Sequence, residues 1–214
     1  MYRHIKRIID FTLSIIALII LSPLFLLIGL AIKVESPGPV FFTQQRVGLN
    51  KQSFKIYKFR SMYTKAPENS PTWQLNNPEK YITKRGDRIR RRSIDELPQL
   101  INIIKGEMSI IGPRPVVWTE KKLIEKRDKY QAFLAKPGLT GLAQINGRDH
   151  LNYIEKAFLD GEYAQNVNLL NDVKIFFGTI TYVLKMDGIT EGVLNSVEHV
   201  NSFAPCESSE VIDE

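Results

Sequence analysis

Cysteine is almost missing from this sequence: its one example, Cys206, lies in the polar run APCESSEVIDE. A single thiol excludes a disulfide framework and a thiolate cluster for a metal, and it fits a reducing compartment. Acidic residues are also in short supply, 23 against 29 Lys and Arg, which leaves a net charge of +6. That deficit favours an anionic partner, whether nucleic acid, a phosphorylated small molecule or an acidic lipid surface. A disordered chain is excluded by 43% hydrophobic and 24% charged content, and 214 residues suffice for one domain with a core plus an attachment.

Between Phe11 and Ile32, FTLSIIALIILSPLFLLIGLAI, charge is absent altogether. At ~1.5 Å per residue the run matches the ~30 Å hydrocarbon core of a bilayer, so the segment enters the membrane. The sequence after it, AIKVESPGP, offers no convincing cleavage site, which argues against a removed signal peptide. Two features argue against a plain crossing. Ser22-Pro23 falls at the midpoint, where proline deletes a helical hydrogen bond and clashes with the carbonyl four residues back. Both flanks are basic, with Arg3, Lys6 and Arg7 before the run and Lys33, Arg46 and Lys51 after it, so a straight span exports one positive flank. The expectation is a re-entrant helix over residues 1–36, broken at Ser22-Pro23, with both flanks cytoplasmic; a kinked single-pass anchor is the alternative. Asp10, one turn beyond Lys6 and Arg7, is expected to pair with them.

Two β-rich runs, Val40 to Gln44 and Phe54 to Phe59, flank Gly48-Leu49-Asn50 and predict a hairpin. Alternation along the second run puts Lys58 and Arg60 on one face, either as solvated charges or as an anion grip. Residues 64–78, TKAPENSPTWQLNNP, have little apolar content and three prolines, and predict a loop. The run KRGDRIRRR then concentrates basic residues at a solvated or headgroup-facing patch. No recognition helix or aromatic-interleaved strand accompanies it, so nucleic acid is not an expected partner.

The stretch RRRSIDELPQL carries the most chemistry. Ser93 followed by Glu96 has capping-box spacing, and Leu97, Leu100, Ile101 and Ile104 fall on one helical face, which puts Asp95 and Glu96 in a first helical turn. Acids there complement the helix dipole, worth roughly 0.3 to 1 kcal/mol each. Pro98 and the arginines upstream need more than that: a short, fixed turn that presents carboxylates to a positive field, where a nucleophile meets an anionic substrate. Gly112-Pro113-Arg114-Pro115 fixes φ on both sides of an arginine whose fork suits a phosphate. In KPGLTGLAQINGRD, Gly138, Gly141 and Gly147 allow close backbone approach, and Gln144, Asn146 and Arg148 offer polar contacts. TEKKLIEKRDKYQAFL reads as a charged amphipathic helix, and VKIFFGTITYVLKM as an interfacial or a core helix. The acidic residues Glu207 to Glu214 read as a disordered tail, set off as 201–214.

Taken in order, the Ser-Pro interrupted hydrophobic segment, FTQQRVG, FKIYKFRSM, SIDELPQLINIIKGEMSIIGPRP and KPGLTGLAQINGRD resemble the monotopic phosphoglycosyl transferases, or bacterial sugar transferases, over nearly the whole chain. The resemblance implies a mainly helical α+β fold with a small hairpin and amphipathic interfacial helices, the catalytic domain occupying 37–200. It implies transfer of a sugar-1-phosphate from a UDP-sugar to undecaprenyl phosphate through a covalent aspartyl-phosphosugar, with release of UMP, at the cytoplasmic face of a bacterial inner membrane. Asp95 is then the nucleophile, Glu96 its assistant, and Mg²⁺ sits by both carboxylates. Lys58, Arg60, Arg90, Arg114, Gln144 and Arg148 are the expected substrate contacts. The sugar, the pathway and the oligomeric state, a homodimer included, stay open.

Overall fold

The computed structural model of the chain describes residues 2–67, 77–147 and 150–185. The polar tail from 201 and the expected contact Arg148 lie outside them, as does most of the loop at 64–78. Helix α1 spans Tyr2–Glu35 and is long and apolar enough to cross a membrane by length and composition. Helical backbone continues on both sides of Ser22-Pro23, so the break expected there takes the form, at most, of a bend within one helix. The reason is local. Pro23 has no N–H for the carbonyl of Ile19, and the Ser22 hydroxyl donates to that same carbonyl at 2.8 Å. The serine supplies the donor that the proline removes.

One stripe of α1, at spacings of three and four, faces the rest of the protein. Asp10, Ser14, Ile28 and Ile32 are buried, while Ala17, Leu21 and Phe25 pack partly buried against the core. The opposite face is apolar and bare, with Ile19 and Leu26 about two-thirds exposed at 67% and 65%. Both ends are tied to the same domain. At the start, Tyr2 and Lys6 reach Asp172 at 2.6 and 2.7 Å, and Arg7 donates to the carbonyls of Ile103 and Ile104. At the end, the Arg85 guanidinium donates to Ala31 O at 2.6 Å and the Glu35 carboxylate accepts from Arg85 N. The expected pairing of Asp10 is present with Lys6 at 3.9 Å, and Asp10 also accepts from Ser109 Oγ at 2.7 Å.

Strands β1 (Phe41–Val47) and β2 (Ser53–Phe59) form the expected antiparallel hairpin, with Phe42 opposite Lys58 and Gln44 opposite Ile56. Phe54 and Ile56 bury against Leu100, Ile103 and Met108, while Phe59 buries on the other side with Ile28 and Ile32. After α2 (Lys84–Arg91) and α3 (Gln99–Lys105), β3 (Ser109–Ile111) pairs in parallel with β4 (Gly138–Thr140). The glycines of the two loop motifs make this pairing: a Cβ on Gly112 would meet Lys136 O at 2.2 Å, and one on Gly141 would meet Gly112 O at 2.1 Å.

Helix α4 (Lys121–Lys129) stops short of the expected sixteen-residue helix, because Gln131 adopts φ 57° and starts a separate 3₁₀ turn at Ala132–Leu134. The short α5 (Leu142–Ile145) follows β4; α6 (Tyr153–Gln165) opens on a complete capping box, Asn152 with Glu155. Helix α7 (Leu169–Lys185) buries Ile175 against Tyr163 and leaves Leu170 and Phe177 exposed, the amphipathic character expected of an interfacial helix.

Candidate active site

Ser93 has φ 53°, a left-handed conformation, and its side chain caps nothing. The chain then makes one 3₁₀ turn, Ile94–Glu96, and α3 begins only after Pro98, whose φ of −62° already suits a helix. The capping box read from Ser93 and Glu96 is therefore not formed. Proline forces the helix to start later, and the left-handed serine turns both acids inward. Asp95 and Glu96 are each 6% exposed.

The Glu96 carboxylate is spent on two cations. Its Oε1 accepts from Lys58 Nζ at 2.8 Å and from Arg114 Nη2 at 2.7 Å, and its Oε2 accepts from Arg114 Nη1 at 3.2 Å. Lys58 arrives on the face of β2 that also carries Phe54 and Ile56, so the strand's alternation aims it under the α3 start. Arg114 arrives from the Gly112–Pro115 turn. Burial alone raises the Glu96 pKa, yet the charges and hydrogen bonds of Arg114 and Lys58 outweigh it and hold the group well below the usual carboxylate range. The triad of Lys58, Arg114 and Glu96 carries a net positive charge, a field that suits an anionic group.

Arg60 is placed differently from the expectation. It is 5% exposed, and its guanidinium donates to Ser36 O and Pro37 O, both at 2.7 Å, and to Ser36 Oγ. It clamps the exit of α1 to the end of β2, because the strand ends at Phe59 and the alternation that grouped it with Lys58 ends there too. Gln144 is buried on α5 and donates to Leu139 O at 3.3 Å. Arg90 is half-buried in the last turn of α2.

Asn102 went unread in the sequence, hidden in the apolar run LINIIK. It is fully buried, accepts from Tyr57 N at 3.0 Å and donates to Lys55 O and Glu107, both at 2.7 Å. It thereby fastens α3 alongside β2, setting the distance between the acids and Lys58. A polar residue on the buried face of a short helix was the available signal.

Asp95 and Glu96 together are a hard-oxygen pair of the kind that holds Mg²⁺ with substrate phosphates, and Glu96 Oε2 accepts only the longer of the arginine bonds. No cluster of three His, Cys, Asp or Glu side chains occurs among the described residues, so a metal's remaining ligands would come from substrate and water. On that chemistry the two carboxylates fit the ion.

The sequence is similar to those of known proteins over most of its length. The profile of the family described as bacterial sugar transferase matches residues 1–186. The exopolysaccharide production protein ExoY of Sinorhizobium fredii is 41% identical over 83% of this chain and 84% of its own length. The undecaprenyl-phosphate glucose phosphotransferase of Komagataeibacter xylinus is 43% identical over 82% of this chain, which spans 35% of that protein. The undecaprenyl-phosphate galactose phosphotransferase of Salmonella typhimurium is 39% identical over 87% of this chain and 42% of its own length.

Proposed function

The chain belongs to the bacterial sugar transferase family and is a phosphoglycosyl transferase; from that premise we propose that it moves a sugar-1-phosphate from a UDP-sugar to undecaprenyl phosphate, releasing UMP. The observation that carries the reading is a pair of adjacent buried carboxylates in one short turn: Glu96 is locked to Lys58 and Arg114, and Asp95, the residue before it, is equally buried.

In the first half-reaction a carboxylate oxygen of Asp95 attacks the sugar-bearing phosphorus. The pyrophosphate P–O bond breaks, UMP leaves, and an aspartyl-phosphosugar forms. In the second, a phosphate oxygen of undecaprenyl phosphate attacks the same phosphorus. The Asp95–phosphorus bond breaks, the carboxylate is restored and the lipid leaves as a diphosphate-linked sugar. Lys58 and Arg114 take the phosphate oxygens, Arg114 with a bidentate fork. Glu96 keeps both cations in place and ionised without itself bonding to phosphorus. Arg90, at the end of α2, and Gln144, on α5, are assigned to the donor as further contacts. Mg²⁺, held by Asp95 and Glu96 with the diphosphate, would neutralise the charge that opposes a carboxylate attacking a phosphate.

The membrane arrangement follows the same reading. The inward stripe of α1 touches the domain along its length, and both of its ends are tied to that domain. This supports a re-entrant α1 with the catalytic domain at the cytoplasmic face of the inner membrane, where a water-soluble UDP-sugar meets a membrane-held polyprenyl phosphate.

UMP release measured over a panel of UDP-sugars, in membranes containing undecaprenyl phosphate, tests the activity. Release with at least one donor, and a phosphosugar adduct on Asp95 when the polyprenyl phosphate is left out, are the expected results. Absence of UMP release with every donor would overturn the proposal.

A further inference from the structure

Pro113 and Pro115 have no N–H to give, so the turn that carries Arg114 depends on its carbonyls for anchorage. Four consecutive carbonyls are taken by donors from three elements. Pro113 O accepts from Gly138 N of β4 at 2.8 Å, and Val116 O from Val47 N of β1 at 2.9 Å. Between them Arg114 O accepts from Arg127 Nη1 of α4 at 2.9 Å, and Pro115 O accepts from Arg46 Nη1 of β1 at 3.1 Å. The two middle carbonyls, that of Arg114 itself and that of the next residue, are the ones held by guanidinium groups.

Each guanidinium is itself held. Arg46 Nη2 donates to Gln44 Oε1 at 2.6 Å, and Arg127 Nη2 donates to Asp160 Oδ2 of α6. The Arg127–Asp160 pair is buried, at 4% and 1% exposure. It is a poor device for stability: Arg127 Nε and Asp160 Oδ1 have no hydrogen-bond partner among the described residues, and desolvating such a pair costs as much as its attraction returns. Burial drives the Asp160 pKa upward in spite of the neighbouring Arg127 charge. What the pair does provide is geometry, because a planar fork fixed at one end by a carboxylate leaves its other end a single direction.

Building on the active-site reading above, we infer that Arg127, oriented by Asp160, is a positioning residue for the transfer reaction: it grips the Arg114 carbonyl so that the Arg114 guanidinium meets Glu96 and the incoming diphosphate in one orientation. Arg46 does the same one residue later, on Pro115. Neither needs to touch substrate.

A double-mutant cycle on the full chain in membranes tests this, because a residue that acts through Arg114 has nothing to act on once Arg114 is gone. UMP release is followed with UDP-glucose, UDP-galactose and UDP-N-acetylglucosamine, and the rate is taken on a donor that the wild type turns over. Arg127→Lys keeps the charge but cannot bridge a carbonyl and a carboxylate as a fork does. It is expected to slow release about tenfold to a hundredfold, the cost of a misdirected group. Introduced into Arg114→Gln, the same change is expected to add no more than about a twofold loss. If Arg127→Lys slows Arg114→Gln by the factor it slows wild type, or leaves wild type unaffected, the positioning role is wrong. If Arg127→Lys does not fold, Arg46→Lys takes its place in the identical cycle, where an equal loss in both backgrounds, or none in wild type, again overturns the role. Arg114→Gln turning over at the wild-type rate would refute the active-site reading, an outcome distinct from the failure of the cycle.

Discussion

At the scale of the residue, the adjacent acids answer differently to the same small change. Asparagine caps and hydrogen-bonds much as aspartate does, so a structural Asp95 loses no more than the dipole contribution, under ~1 kcal/mol, on Asp95→Asn. A nucleophile loses the reaction. Asp95→Asn is expected to form no phosphosugar adduct and release no UMP while staying folded; mass analysis of protein incubated with UDP-sugar alone checks it. Glu96→Gln is expected to retain slow adduct formation, since on the proposed mechanism Asp95 and not Glu96 makes the bond, and to lower stability by on the order of 1.5 to 3 kcal/mol through its weakened bonds to two cations. That difference depends on pH with a definite sign. The folded pKa of Glu96 lies below the unfolded one, so its contribution is present above the ordinary glutamate value of ~4.3 and disappears as pH falls through the folded value. Unfolding measured at neutral pH and then stepwise below ~4.3 should therefore show the gap between wild type and Glu96→Gln constant at first and closing at acid pH. A gap that closes above pH 5 would contradict the lowered pKa.

Single elements show how much the sequence disclosed. The hairpin was legible because both strands announce themselves by β-rich composition around a glycine and asparagine turn, and the membrane segment because charge is missing from it. The candidate site was legible as pieces: the acids, Lys58 and Arg114 each sat in a local signal, and the structure brings Glu96, Lys58 and Arg114 together. The start of α3 was misread because Ser93 and Glu96 fit a capping box by spacing, while the left-handed Ser93 and Pro98 decide the turn. The roles of Arg60 and Arg127 were not legible, since their partners lie far along the chain, at Ser36 and at Asp160, while Asn102 was signalled only as a polar residue on a buried face and not by its partner at Lys55. The helix that continues past Pro23 makes its own prediction. Ser22→Ala leaves the Ile19 carbonyl without a donor in an apolar setting and should destabilise the protein in nanodiscs by about 1 to 3 kcal/mol. Adding Pro23→Leu restores the backbone N–H and should recover most of the loss. A double variant as unstable as Ser22→Ala alone would show that the hydroxyl has some other task.

On the scale of the whole molecule, α1 is at once membrane element and core element. Ile28 and Ile32 bury with Phe59, and Ala17 and Leu21 with the cluster around Ile103, so removing α1 opens the domain's interior. Residues 37–185 expressed without it are expected to aggregate; a soluble, monomeric product with a cooperative melt would mean that the core closes without the helix. With both ends docked on the domain, a cysteine at the exposed His4 should react with an impermeant thiol reagent only after cells are opened. Labelling from outside intact cells would establish a crossing instead. Docking the first turn also imposes an order in time. Tyr2 and Lys6 close on Asp172, 170 and 166 residues later, whereas the Ile103 and Ile104 carbonyls that receive Arg7 are made much sooner. At ~5 to 20 residues per second of synthesis, the helix waits in the bilayer for roughly 10 to 30 s before its last latch exists. A ribosome that stalls short of Asp172 thus leaves behind a chain already in the lipid, with a half-fastened anchor and an open seam that a membrane protease can recognise.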